Sequence, residues 1–173
     1  MGLVLAQQHS LLFDVVLAKK LVHPSYSEVA IGAMAEAGTP ILNSQMTVEQ
    51  NWIDQETERV QNENQRRRNL YDEVLEKQEL KEKDVIIVDD GIATGMTMFA
   101  AIAAVKAKQA KHITVAVPII PKETFQALEK QVDQVTFIEV PEHFLGAVGA
   151  YYQHFPQISD QEIQEMLKDS DPV

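Results

Sequence analysis

The sequence contains no cysteine, which excludes disulfide bonds, thiolate metal sites and a thiol nucleophile within its 173 residues. Basic residues are few, since 15 lysines and arginines stand against 26 acids and the formal net charge is −11. A charge of that sign argues against a nucleic-acid groove and against an anionic membrane surface. An acidic protein that binds a polyphosphate must neutralise it locally, so such a ligand would require a metal ion or well-placed cations.

Long hydrophobic runs are also lacking. No stretch reaches the length of a transmembrane helix, and the start has neither the basic region nor the apolar core of a signal peptide. We therefore expect a cytoplasmic protein that meets no membrane. The composition, 45% apolar and 24% charged, is typical of globular proteins, and the length predicts one domain over residues 1–173.

The most informative pattern lies at residues 85–97. Four β-branched residues, 85–88, predict a strand buried on both faces. Two carboxylates, Asp89 and Asp90, follow that strand, and a loop of small and hydroxylated residues leads into an alanine-rich helix over 98–108. The sequence therefore places an acidic pair and a flexible loop between a strand and a helix.

This loop has the features of a phosphate site. The backbone amides of a loop and of a helix N-terminus attract anions, and Thr94 and Thr97 add hydroxyl donors. Gly91 and Gly95 allow the backbone to approach a ligand closely. Two carboxylates beside a phosphate would repel it unless they bind other groups, and vicinal ribose hydroxyls are suitable groups.

With these features the stretch resembles the 5-phosphoribosyl-1-pyrophosphate (PRPP) motif of type I phosphoribosyltransferases: an apolar strand, two acids and a Thr-Gly-x-Thr loop. Segments from Lys20 onward and at 144–160 are similar to one branch of that family, the "predicted phosphoribosyltransferases". The resemblance implies an α/β domain with a mostly parallel twisted sheet flanked by helices. It also implies transfer of a phosphoribosyl group from PRPP to an unidentified nitrogen base, with release of pyrophosphate.

By the same resemblance Asp89 and Asp90 are the catalytic pair, and they hold the ribose hydroxyls directly or through Mg²⁺, the implied cofactor and metal. Ala93 stands where the 6-oxopurine branch has an aspartate, which argues against hypoxanthine or guanine as the acceptor. The residues implied in PRPP and phosphate binding are Gly91, Ile92, Ala93, Thr94, Gly95, Met96, Thr97 and Lys20.

The remaining elements follow from periodicity and capping signals. Strands are predicted at 13–18, 29–35, 39–43, 113–117 and 135–140, and helices at about 47–75, 122–130 and 159–168. Capping boxes, Thr47 with Gln50 and Ser159 with Glu162, open the long helix and the last one. The polar middle of the long helix, 61–69, is expected to be exposed, frayed or in contact with a partner. The alternation of strands and helices after residue 84 predicts parallel crossovers with ligands at the carboxyl ends of the strands.

Several interpretations stay open. The loop with His23, Tyr26 and Glu28 is an ordinary loop or the family's mobile flap. Arg66, Arg67 and Arg68 form a solvated face or reach pyrophosphate. The four aromatic residues near the end belong to the core or stack on a base: Phe144, Tyr151, Tyr152 and Phe155. For the whole chain the alternatives to a transferase are a non-catalytic regulatory protein that binds PRPP or a nucleotide, and a structural subunit. A homodimer is expected.

The chain also departs from the family pattern. Members begin with an apolar strand and a loop, typically Pro-Arg-Gly-Gly in this branch, which binds pyrophosphate through its amides. Nothing before Phe13 matches that strand, so the sequence resembles an N-terminally shortened member. We therefore expect little transferase activity from this chain alone, and an unpaired edge or gap in its sheet.

Overall fold

A computed structural model describes residues 1–36 and 38–168, except for the side chains of residues 27 and 28. The predicted connection at 36–38, the side chain of Glu28 and the last five residues of the predicted domain thus fall wholly or partly outside the described residues. The elements in chain order are α1 (Gly2–His9), β1 (Ala18–His23), β2 (Tyr26–Ala35), β3 (Ile41–Leu42), α2 (Gln50–Asp72), β4 (Asp84–Val88), α3 (Met96–Ala107), β5 (His112–Ile119), α4 (Lys122–Leu128), β6 (Gln134–Glu139), a 3₁₀ turn (Val148–Tyr151) and α5 (Asp160–Lys168).

The strands form two sheets. Strands β1, β2 and β3 are antiparallel neighbours, whereas β4, β5 and β6 form a parallel sheet in that order. The α/β class and the parallel sheet flanked by helices are therefore confirmed. The expected mostly parallel sheet is divided, and within the described residues β4 pairs with β5 alone.

Helix α3 packs against both sheets, with small side chains on one face and larger side chains on the other. Ala100 and Ala104 pack against Ala33 and Ala35 of the antiparallel sheet. The opposite face of α3 packs on the parallel sheet through larger side chains: Met98, Ile102 and Val105. Small residues on one face permit close approach, and branched residues on the other fill the main core.

The parallel sheet buries one face in the core and leaves much of the other exposed. Alternate residues of β5 point into the core: Ile113, Val115, Val117 and Ile119. On the other face Ile86 is 54% exposed and Ile138 is 84% exposed. The prediction that residues 85–88 are buried on both faces is therefore wrong, because no described element covers Ile86.

The first predicted strand is displaced along the chain. Residues 13–17 have no regular secondary structure and lie in neither sheet, and β1 begins at Ala18, so Lys19 and Lys20 lie within a strand rather than after one. Side chains bind the backbone of this segment: Val15 donates to the Asp14 carboxylate at 2.8 Å, and its carbonyl accepts from Arg68 at 3.0 Å. These side-chain bonds satisfy the backbone groups of Val15, which lies outside both sheets.

Helix α2 begins later than predicted. It starts at Gln50 with Glu49 at the N-cap and no side-chain cap bond, so the expected capping box at Thr47 does not form. Its polar middle is exposed as predicted on one face only, since on the other face Asn64 is 2% exposed and Arg68 is 3% exposed. The Asn64 amide donates to the carbonyl of Met34, and Arg68 lies among carboxylates. The helix thus packs on the antiparallel sheet through polar as well as apolar contacts.

The hairpin of β1 and β2 is bound to α2 at an irregularity in the pairing of its two strands. The pairing register shifts on both sides of Val22. The Val22 amide donates to Glu56 Oε1 at 3.1 Å, and its carbonyl accepts from the indole of Trp52 at 3.0 Å. Two side chains of one helix therefore bind the backbone groups of a bulge residue, which would otherwise be only partly satisfied.

Candidate functional site

The acidic pair lies directly beyond the carboxyl end of β4. Asp89 donates its amide to the carbonyl of Ala116 at 3.4 Å, and Ile92 donates to the carbonyl of Ile119 at 2.9 Å. The backbone beyond β4 therefore continues beside β5 before it turns. This is the edge of a parallel sheet at which ligands bind, as the sequence predicts.

Gly91 is required by close packing rather than by flexibility alone. A Cβ atom at this position would lie 2.5 Å from Ile119 Cγ2 and 2.6 Å from Val148 Cγ1. The residue is buried between the end of β5 and the 3₁₀ turn. A side chain there would displace the acidic pair from its neighbours.

Gly95 forms the N-cap of α3 in the left-handed conformation, with φ at 77°. A Cβ atom here would lie 2.7 Å from Thr124 Cγ2, so both conformation and space demand glycine. The Thr124 hydroxyl also donates to the carbonyl of Ala93 at 2.8 Å, which holds the loop from α4. Sequence reasoning missed Thr124, because its contact with the loop spans 31 residues.

The start of α3 leaves backbone donors available. The intrahelical ladder begins with Phe99, whose amide donates to the carbonyl of Gly95 at 2.8 Å, and no side chain caps the helix. The amides of Met96, Thr97 and Met98 therefore have no acceptor in their own helix. Together with the helix dipole they make this loop attractive to an anion.

The electrostatics of the acidic pair are unusual for two aspartates. Burial, and then the adjacent charge of Asp90, raise the pKa of the Asp89 carboxyl to about 6. The bond that Asp89 accepts from the Asp90 amide at 3.0 Å opposes this rise. Burial also raises the pKa of Asp90. In the described part of the chain neither carboxylate forms an ion pair.

The donor set fits a hard cation that also binds substrate. Among residues 1–36 and 38–168 no group of three or more His, Cys, Asp or Glu is arranged to hold a metal. Asp89 and Asp90 together offer two carboxylates, the number that Mg²⁺ commonly takes from a protein when substrate phosphates and water complete its shell. A cation would also offset both causes of the raised pKa of Asp89, its burial and the smaller repulsion from Asp90.

Lys20, which the resemblance assigns to the ligand, and its neighbour Lys19 lie on opposite faces of β1. Lys19 approaches Glu63 of α2 at 3.8 Å. Lys20 is exposed and shares a face with Ala18, which packs against the small-residue face of α3. Only Lys20 is therefore on the side of its sheet that α3 occupies.

The three arginines are engaged with acids rather than free for a ligand. Arg66 binds Asp160 at 2.6 Å, and Arg67 lies 3.3 Å from the same carboxylate, so both tie α2 to α5. Arg68 contacts Asp14 at 2.8 Å. The solvated face suggested by the sequence is wrong for Arg68, which is buried.

The aromatic segment, residues 143–155, lies against the acidic pair. The Tyr152 hydroxyl donates a short hydrogen bond to the backbone carbonyl of Asp90, and its ring lies 5.0 Å from that of Phe155. Burial, and then the charges of Asp90 and Asp89, raise the pKa of Tyr152. Val148 packs on Gly91 in the same region. Tyr152 was a candidate from sequence, but its contact with Asp90 was not anticipated.

The hairpin tip and a remote cleft add little to this site. His23 ends β1 and Tyr26 begins β2, with their rings 5.1 Å apart, so the predicted loop is a tight turn. A cleft of about 490 Å³ is lined by residues 77–81 and 107–109, at the opposite end of α3 from Asp89. In the described residues no helix is long and apolar enough to cross a membrane.

Comparison with known proteins gives consistent findings. The family model described as the phosphoribosyl transferase domain matches residues 2–154. Two proteins named "Putative phosphoribosyl transferase", from two strains of Mycobacterium tuberculosis, are each 33% identical over 158 residues. That alignment covers 89% of this chain and 35% of each relative, so the chain spans about a third of their length. The crystal structure of TT1426 from Thermus thermophilus is similar with a TM-score of 0.76 and 32% identity, over 95% of this chain and 79% of that one.

Proposed function

The chain belongs to the phosphoribosyl transferase domain family, and from that premise we propose that it binds PRPP with Mg²⁺ and transfers the phosphoribosyl group to a nitrogen base. The ribose hydroxyls bind Asp89 and Asp90. The 5′-phosphate binds the amides of residues 93–97 and the hydroxyls of Thr94 and Thr97. Lys20 is assigned to the pyrophosphate.

One observation carries this proposal: two carboxylates without an ion pair stand next to a glycine-capped helix start. The carboxylates accept hydrogen bonds from hydroxyl groups, whereas the amides of the helix start donate to an anion. Asp90 and Gly95 are five residues apart in one tight loop. A sugar that carries both vicinal hydroxyls and a phosphate satisfies both halves of this arrangement.

The proposed transfer needs no covalent intermediate with the protein. A lone pair of the base nitrogen forms a bond to the anomeric carbon, and the bond from that carbon to the pyrophosphate oxygen breaks. The bonding electrons leave with pyrophosphate, and the proton of the nitrogen passes to solvent. Residues of this chain orient the sugar and stabilise charge, which are the two contributions that such a displacement requires.

Mg²⁺ bound by Asp89 and Asp90 would supply positive charge to the ribose and pyrophosphate oxygens. Without a cation Asp89 lies partly buried beside the charge of Asp90, and burial first and that charge second raise its pKa. Their role in this chain is to hold the ribose in a fixed orientation. Ala93 offers no proton to a base, so the acceptor would have to be activated by other groups or by its own chemistry.

A second function, PRPP or nucleotide binding without transfer, is favoured by the distribution of cations. Lys19 pairs with Glu63, and the three arginines contact carboxylates. Lys20 is thus the one candidate cation from the sequence that has no ion pair in the described residues. A leaving group with several negative charges departs easily only when donors are aimed at it.

The decisive experiment measures binding and turnover in the same samples. Calorimetry with PRPP and MgCl₂ should give Mg²⁺-dependent binding that Asp89→Asn combined with Asp90→Asn abolishes. Asp84→Asn is a matched control, because Asp84 starts the same strand at its opposite end. Unchanged PRPP affinity in the folded double variant would refute the assignment of the pair.

Turnover then separates the two functions. Release of pyrophosphate with any member of a panel of purine, pyrimidine and orotate acceptors supports the transferase. Binding without release supports the regulatory protein. The phosphate site has its own test: crystals soaked with saturating ribose 5-phosphate should show density at the amides of residues 93–97, and no density there would contradict the cradle.

A further inference from the structure

The aromatic segment, residues 143–155, makes two separate contacts with the acidic loop. Val148 packs on the site where a Gly91 side chain would stand, and the Tyr152 hydroxyl donates to the carbonyl of Asp90. Val148 fills the space beside Gly91, and Tyr152 fixes the carbonyl group of Asp90. Together they hold the peptide units that carry both carboxylates.

The segment has an internal structure of its own. The Tyr151 hydroxyl accepts from the Leu145 amide at 2.9 Å and lies 3.4 Å from the His143 carbonyl. The Tyr151 ring stacks on Phe144 with centroids 5.6 Å apart. A Cβ atom at Gly149 would lie 2.9 Å from the ring of Phe155, so this ring packs against the backbone of the 3₁₀ turn. The segment is therefore a compact unit that can transmit a constraint.

The two neighbouring tyrosines consequently differ in what their hydroxyls bind. Tyr151 bonds within the segment, whereas Tyr152 bonds across to the acidic loop, 62 residues away in sequence. Few other contacts hold Asp90, since its amide donates to the Asp89 carboxylate, its side chain forms no ion pair in the described residues, and the residue is exposed. The hydroxyl of Tyr152 is thus a principal tether of the peptide unit between Asp90 and Gly91.

We propose that Tyr152 is a positioning residue that couples the order of the aromatic segment to the geometry of the acidic pair. It acts on the ligand through Asp90 and does not itself touch the reacting atoms. Holding the pair before a ligand arrives reduces the ordering cost of binding. By the same linkage, a ligand that orders the acidic loop also orders residues 143–155. The ligand half of this proposal rests on the proposed function.

The test compares Tyr152→Phe with Tyr151→Phe in the full chain. Each variant loses one hydroxyl and keeps its ring, and a thermal melt verifies that both fold. Without ligand, hydrogen exchange of peptides covering residues 89–97 should be about three- to tenfold faster in Tyr152→Phe, the range expected when one hydrogen bond is lost. Tyr151→Phe should leave that exchange within about twofold of the parent, since its hydroxyl bonds elsewhere.

The second arm adds PRPP with MgCl₂ as the probe. The parent and Tyr151→Phe should show slower exchange in residues 143–155 on binding, whereas Tyr152→Phe should show little change and bind about three- to tenfold more weakly. Equal exchange of residues 89–97 in both variants, or parent-like affinity and protection in Tyr152→Phe, would overturn the proposal. If the parent does not bind the probe, the proposed function fails, and the exchange without ligand still decides the role of Tyr152.

Discussion

The raised pKa of Asp89 predicts that this carboxylate destabilises the fold at neutral pH. A shift from 3.8 to about 6 is about 2 pH units, which at about 1.4 kcal/mol per unit corresponds to about 3 kcal/mol. Because the residue is partly accessible to solvent, screening reduces the expected cost to about 2 kcal/mol. Asp89→Asn keeps an oxygen that can accept from the Asp90 amide and removes the charge. The variant should therefore be more stable than the parent by about 2 kcal/mol at pH 7.

The raised pKa of Asp89 also predicts how the stability of the parent changes with pH. The folded protein binds the Asp89 proton more tightly than the unfolded chain does, so the parent loses stability as the pH rises from about 4 to about 6. Below pH 4 the carboxyl is neutral in both states, and parent and variant should be equally stable. Above pH 6 the full difference should be present and constant.

Urea unfolding between pH 4 and 8, in EDTA and at constant ionic strength, measures this difference directly. Glu58→Gln is the control, since it removes a carboxylate at an exposed position of α2. It should leave the free energy of unfolding within about 0.5 kcal/mol of the parent at every pH. Two results would contradict this reasoning: Asp89→Asn no more stable than the parent at pH 7, or a difference that does not fade toward pH 4. Either would show that burial beside Asp90 does not raise the pKa of Asp89 in the folded protein.

Three other substitutions test separate parts of the structure. Arg68→Ala should destabilise the protein by about 3–5 kcal/mol in urea unfolding, because it leaves the Asp14 carboxylate, which is only 13% exposed, without its cation; a loss under about 1 kcal/mol would show that the cluster is solvated. Gly95→Ala should cost about 1–3 kcal/mol and weaken binding of ribose 5-phosphate, since φ is positive and Thr124 is in the way; parent-like stability and binding would contradict this. Ser159→Ala should speed hydrogen exchange in α5 while changing global stability by only about 1 kcal/mol, because the capping box is local; unchanged exchange would argue against the cap.

The parts of the fold that the sequence predicts well depend on neighbours in the chain. The strand ending before Asp89, the loop after it and the helix beginning near Met96 form one continuous stretch. The capping box of the last helix is confirmed, since Ser159 and Glu162 bond each other in both directions. Local chemistry specifies these features, so they can be read without knowledge of the rest of the molecule.

The parts that the sequence did not predict depend on distant partners. A helix segment without apolar residues reads as solvated, yet Arg68 is buried because Asp14, 54 residues away, supplies a carboxylate. The same Asp14 accepts a hydrogen bond from the backbone amide of Val15, in a segment that lies in neither sheet. Periodicity reports the average polarity of a face and carries no information about whether a distant charge will be paired.

The residues of the candidate site show the same division. The acids and glycines were identified from the motif, whereas Thr124 and the contact of Tyr152 were found only in the structure. The assignments of Asp89, Asp90 and Lys20, like those of Mg²⁺, PRPP, the base and a second copy of the chain, stay predictions. A threonine in a short helix and a tyrosine in an irregular segment carry no sequence signal that would link them to a loop so distant in the chain.

The distribution of paired and unpaired acids indicates which of them serve structure. Around the buried Arg68 the carboxylates of Asp14 and Asp72 lie 2.8 Å and 2.6 Å from the guanidinium, so the protein itself supplies the charge that the burial of Arg68 requires. Asp89 is also partly buried and Asp90 lies beside it, yet within the described residues neither carboxylate forms an ion pair, only the amino terminus lowers the pKa of Asp90 by its charge, and the pKa of Asp89 rises. Folding stability alone would favour a neutral or paired residue at that position. An acidic pair that the fold leaves repelled, at the edge of a parallel sheet, is therefore better explained by a cationic or hydroxyl-bearing ligand than by packing.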